Sequence, residues 1–133
     1  MSALTIEIGI DCADPASLAP FWAEALGYAV GDFDRDGTYL DLVPPHGSSG
    51  PIVYMQRVPE SKVVKNRLHL DLMTSDPDAL VERLADIGAT RVGVPMTGSE
   101  GGWWQVMADP DGNEFCVCAI AGSFSDESKR PGQ

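Results

Sequence analysis

Thr5, Glu7, Gly9 and Asp11 alternate with Ile6, Ile8 and Ile10. A period of two predicts a strand with one apolar and one polar face. Asp14-Pro15 follows, an N-cap carboxylate ahead of a residue suited to the first helical position. Leu18, Phe21, Trp22, Ala25 and Leu26 then recur at i, i+3, i+4, i+7 and i+8, a single apolar helical stripe. Gly27 can take the left-handed conformation that ends such a helix. Three strand-like stretches come next, at 28–33, 38–43 and 52–57, the first two joined by the turn residues Asp34-Arg35-Asp36-Gly37.

The order then repeats. Residues 67–74 predict a strand with Leu68, Leu70 and Leu72 on one face and Arg67, His69, Asp71 and Met73 on the other. Asp76-Pro77 starts a helix carrying Leu80, Leu84 and Ile87, and Gly88 closes it. Strands are expected at 90–94, 102–108 and 114–119, the last two joined by Asp109-Pro110-Asp111-Gly112. In both copies an ionisable residue, Glu7 or His69, stands seven positions before the helix-starting Asp. The expected organisation is one pseudo-symmetric α+β domain over 1–120, with module one at about 3–57 and module two at about 67–120. A polar tail is expected over 121–133.

Composition narrows the function classes. The 133 residues suffice for a core without disulfide or metal staples, and 44% hydrophobic with 22% charged content is ordinary for a soluble domain. A net charge of −11 argues against a nucleic-acid partner. No apolar run approaches a membrane span and no signal-peptide pattern opens the chain, so no membrane association and a cytoplasmic location are expected. Three cysteines, Cys12, Cys116 and Cys118, form no disulfide spacing pattern, which suits a reducing compartment.

With the doubled unit, the phrase Asn66-Arg-Leu-His-Leu-Asp-Leu72 and the stretch Asp109-Pro-Asp-Gly-Asn-Glu-Phe-Cys-Val117, the chain resembles the vicinal oxygen chelate superfamily. More narrowly it is similar to the glyoxalase-like branch of the glyoxalase, bleomycin-resistance and extradiol dioxygenase proteins. The resemblance covers about residues 3–120. It implies paired βαβββ modules forming a cup-shaped mixed sheet with helices on the convex face, and commonly a homodimer. It also implies a divalent ion (Zn, Ni, Mn or Fe) on the concave face. The positions matching the superfamily's ligands are Glu7, His69 and Cys116, with Gln56 or Tyr54 nearest to a fourth. Glu7 stands where His or Gln is usual, and Cys116 where Glu is usual.

Strand parity supports a shared polar surface without that help. Glu7 and Asp11 lie opposite the isoleucine row, His69 and Asp71 opposite the leucine row, and Glu114 with Cys116 opposite Phe115 and Val117. The metal ligands that the resemblance implies are Glu7, Gln56, His69 and Cys116, with Glu7 and His69 also candidates for acid–base work. The expected ligand pocket adds Asp11, Tyr54, Arg67, Asp71, Trp103 and Glu114. Trp103 and Trp104 are adjacent on one strand, so they face opposite ways and the sequence does not say which meets a ligand. The alternative reading makes Glu7 and His69 a hydrogen-bonded structural pair and Cys116 a small core residue.

Two functions stand open. One is a metal-dependent lyase or isomerase, similar to the glyoxalase-like enzymes, acting on a small oxygenated molecule. The other is a non-catalytic protein that sequesters a cationic drug, similar to the bleomycin-resistance proteins.

Overall fold

The structure is a computed structural model and describes residues 3–98 and 101–120. The polar tail expected over 121–133 lies outside the described residues. The chain divides into two compact units, Met1–Lys62 and Val63–Gln133. Among the described residues each contains one helix and one mixed sheet, an α+β arrangement.

In the first unit, β1 (Glu7–Cys12) leads into α1 (Pro15–Leu26), followed by β2 (Ala29–Phe33), β3 (Tyr39–Val43) and β4 (Ile52–Arg57). The strands lie in the order β1-β4-β3-β2, with β1 parallel to β4 and the other pairs antiparallel. Asp14 caps α1 by accepting from the Ala16 amide at 3.1 Å and the Ser17 hydroxyl at 2.9 Å. Gly27 ends the helix at φ 70°, as the stop signal requires. Leu18, Phe21 and Trp22 of the apolar stripe are buried, as are Leu40, Leu42, Val53 and Met55 of the sheet. Burying large side chains of this kind stabilises by about 1.5–3 kcal/mol each relative to leaving them in water.

The second unit repeats this topology. β5 (Asp71–Thr74) leads into α2 (Pro77–Asp86), then β6 (Thr90–Arg91), β7 (Met96–Thr97), β8 (Trp103–Ala108) and β9 (Glu114–Ala119). The order is β5-β9-β8-β6, β5 is parallel to β9, and β7 also pairs with β8. Asp76 caps α2 through the Ala79 amide at 3.2 Å. Leu84, Trp103, Met107, Phe115 and Val117 form the buried core. Gln105 is buried among them, and its amide nitrogen donates to the carbonyls of Val92, Gly93 and Val106. Asp109 closes the β8–β9 hairpin, one carboxylate oxygen accepting from the amides of Asp111 at 2.8 Å and Asn113 at 2.9 Å.

Two elements depart from the sequence expectation. The strand expected over 67–74 begins only at Asp71, because ladder pairing with β9 begins there at the Asp71–Cys116 rung. Leu68, expected on the helix side with Leu72, is 90% exposed. Of the strand expected over 90–94 only Thr90–Arg91 forms one, β6; the chain then bends, with Gly93 at φ 73°, and Met96–Thr97 adds β7, which was not expected. Among the described residues, no helix is long and apolar enough to cross a membrane.

Candidate functional site

Register decides which side chains share the open face of the second sheet. Asp71 pairs with Cys116 and Met73 with Cys118 across β5 and β9, and on β8 Val106 pairs with Cys116 and Trp104 with Cys118. Direct partners project to the same side of a sheet. One face therefore carries Asp71, Met73, Cys116, Cys118, Trp104 and Glu114. The other carries the buried Trp103, Gln105, Met107, Phe115 and Val117.

His69 stands just before β5, and its Nδ1 lies 2.8 Å from Asp71 Oδ1. An ionised carboxylate only accepts, so a neutral imidazole in this contact carries its proton on Nδ1 and its lone pair on Nε2. One donor atom each from His69, Asp71 and Cys116 lies within 4.8 Å of the others. Ligands of a tetrahedral ion with bonds of about 2.0–2.3 Å stand about 3.3–3.8 Å apart, so side-chain shifts of about 1 Å would close this set. Imidazole, carboxylate and thiolate are all metal donors, and the donor set fits a divalent ion.

The environment of the three donors is uneven. His69 and Asp71 side chains are 42% and 47% exposed, whereas Cys116 is 8% exposed. Burial pushes the Cys116 thiol up, and the Asp71 carboxylate pushes it further, with Lys65 opposing. Cys118 is pushed up to about 11, chiefly by burial and then by Asp71 and Cys116. Both thiols are therefore protonated at neutral pH unless an ion displaces the proton.

Glu114 lies at the start of β9. The Asn66 amide donates to Glu114 Oε2 at 3.1 Å, and the Asn66 side-chain amide donates to the Glu114 carbonyl at 3.2 Å. This ties the approach to His69 onto the strand that carries Cys116. Arg67, expected in the pocket, is exposed in the stretch before β5 that forms no ladder. Trp103, also expected there, is 4% exposed on the core side, and the tryptophan on the His69 side is Trp104.

In the first unit, β1 and β4 bring Asp11 level with Gln56, and Gly9 level with Tyr54. Glu7, Gly9 and Asp11 are exposed, while Ile8, Ile10 and Cys12 turn toward the core. The Tyr54 ring lies over Gly9: a Cβ there would be 2.6 Å from Tyr54 Cζ. Gln56 Nε2 donates to the Tyr39 hydroxyl at 3.3 Å, and the Tyr39 and Tyr54 rings stand 6.2 Å apart. Of the four ligands expected from sequence, Glu7 and Gln56 belong to this unit, and His69 and Cys116 to the other.

Sequence reasoning gave Asp71 only a place in the pocket, yet it stands among the donors. Its spacing of two from His69 along an extended chain was the available signal. Asn66 was missed as the residue that holds Glu114, and no local pattern announces that contact.

Comparison with known proteins is consistent with this fold. The family model described as a glyoxalase-like domain matches residues 7–118. No curated protein matches the chain. Among solved structures, a glyoxalase/bleomycin resistance protein/dioxygenase from Nocardioides is similar at 19% identity and TM-score 0.68, covering 100% of this chain and 91% of that one. A family enzyme of the same description from Burkholderia phytofirmans PsJN is 18% identical with TM-score 0.67, covering 86% and 96%. A glyoxalase-related enzyme from Fulvimarina pelagi is 18% identical with TM-score 0.65, covering 90% and 89%. Likeness at this identity shows the fold.

Proposed function

The chain belongs to the glyoxalase-like domain family, and on that premise we propose that it binds a small oxygenated molecule through a divalent ion. His69, Asp71 and Cys116 would hold the ion. The observation that carries this reading is their convergence, with donor atoms within 4.8 Å of one another. Three protein ligands leave a coordination position for an oxygen of the bound molecule. When bound, the ion supplies Lewis-acid polarisation of that oxygen.

The chain's own residues do the rest. Without an ion the 2.8 Å contact holds His69 and Asp71 side by side, and an ion bound by both would replace it. The half-exposure of His69 and Asp71 leaves both reachable by a solute. Trp104 offers an aromatic wall on the same face, and Glu114, positioned by Asn66, offers a carboxylate at its edge. Within the first unit, Glu7, Asp11, Tyr54 and Gln56 are candidate ligand-contacting groups of its own sheet, supported by their place on its polar side. With an ion in place the chemistry is that of a lyase or isomerase; without one, His69 is the proton-transfer candidate of this unit. A cytoplasmic homodimer completes the reading.

A second reading is sequestration of a cationic drug without catalysis. A thiol at position 116 in place of the superfamily's usual glutamate favours it, as does the net charge of −11. A thermal-shift screen of divalent ions crossed with small oxygenated molecules and organic cations separates the two. The first reading expects a rise in melting temperature from an oxygenated molecule only when an ion is present. A rise with organic cations that ignores the ion supports the second. No shift with either class contradicts both.

A further inference from the structure

Resting on the metal-ion reading above, we propose that Cys116 makes the site selective for thiophilic ions such as zinc and cadmium over harder ions such as manganese and magnesium. The side chain at this position decides the ranking. His69 and Asp71 alone offer nitrogen and oxygen, a pair that suits harder and borderline ions alike. Sγ of Cys116 adds the soft donor within 4.8 Å of both. The register extends that character along the ladder: beyond Leu72–Val117, which projects to the other face, the next rung on the face of Asp71–Cys116 is Met73–Cys118, a thioether beside a second thiol. Sulfur thus occupies three of the four positions on two successive same-face rungs. Binding breaks the Cys116 S–H bond, forms the sulfur–metal bond and releases the proton to solvent. The low exposure of Cys116, 8%, places the thiolate in a setting where water competes poorly for the ion.

The experiment titrates the untagged full chain, kept reduced, with cadmium and with manganese. Equilibrium dialysis reads affinity, and ultraviolet absorption reads thiolate-to-metal charge transfer. Wild type is expected to show the charge-transfer band with cadmium. Its cadmium-over-manganese affinity ratio is expected to fall by about tenfold or more in C116S, a larger change than the general ordering of divalent ions accounts for. C12S and C118S should each keep the band. Because the chain has three cysteines, those two variants assign the band to Cys116 even if C116S fails to fold. Ion binding with no band, or a ratio unchanged in a folded C116S, overturns the selectivity and leaves the metal-ion reading standing. A band lost in C118S overturns the assignment to Cys116. If neither ion binds at all, the metal-ion reading falls with the inference.

Discussion

Asp71 and Cys116 are direct register partners on the parallel strands β5 and β9. Partners on one rung project to one face, so a carboxylate and a thiol separated by 45 positions in sequence come within 4.8 Å of each other, with His69 beside them. The thiol is shielded and the other two groups are half exposed.

Half-exposure sets the expected response of the ion-free protein to loss of either group. An ion pair at that exposure contributes about 0–1 kcal/mol, so H69A and D71N should barely move the melting temperature of metal-free protein. In both variants the rise in melting temperature on adding a divalent ion should largely disappear. Differential scanning fluorimetry with and without the ion checks both halves.

The two adjacent tryptophans should behave oppositely. Trp103 is buried in the core, so W103A should cost about 3–5 kcal/mol. Trp104 is half-buried on the open face, where its ring packs near Gly98, 3.2 Å from the position a Cβ there would take. W104A should cost clearly less, about 1–2 kcal/mol, and weaken ligand binding instead. Urea denaturation of the pair reads the difference.

Gly9 gives Tyr54 its position. G9A would push a methyl against the Tyr54 ring and should cost about 1–3 kcal/mol. The double variant G9A/Y54A should lose less than the sum of the two single losses, because the clash disappears with the ring. An additive cycle in urea would mean that the ring does not depend on this glycine.

Asp36 supplies a pH-dependent contribution in the β2–β3 turn. Hydrogen bonds from the Thr38 side chain and amide, the latter 3.1 Å long, hold its carboxyl below the ordinary value. A lowered folded value means stability that is present above the unfolded value and is lost as pH falls through the folded one. D36A should therefore melt slightly below wild type at neutral pH. The gap should close as the pH falls below the ordinary aspartate value of about 3.9. Melting curves across that range check the direction.

Much of this was legible because local signals agreed with one another. The isoleucine alternation of β1, the caps at Asp14 and Asp76 and the stop at Gly27 all took the form that the sequence predicted. Parity alone put Asp71 and Cys116 on the polar sides of their strands. Register was not legible, since cross-strand pairing depends on contacts distant in sequence. That is why the sequence puts Trp103 in the expected pocket without settling which of Trp103 and Trp104 meets a ligand. It is also why the sequence predicts a strand from residue 67, although its ladder begins at Asp71. Leu68 carries the right parity for the core, but it precedes the paired segment and stays exposed.

The central claim is that His69, Asp71 and Cys116 hold one divalent ion. Its most direct test is elemental analysis of untagged protein, incubated with zinc and desalted, for wild type and for H69A. The account predicts one ion per chain in wild type and a large loss in H69A. Wild-type protein without stoichiometric metal, or H69A that retains it in full, would contradict the account.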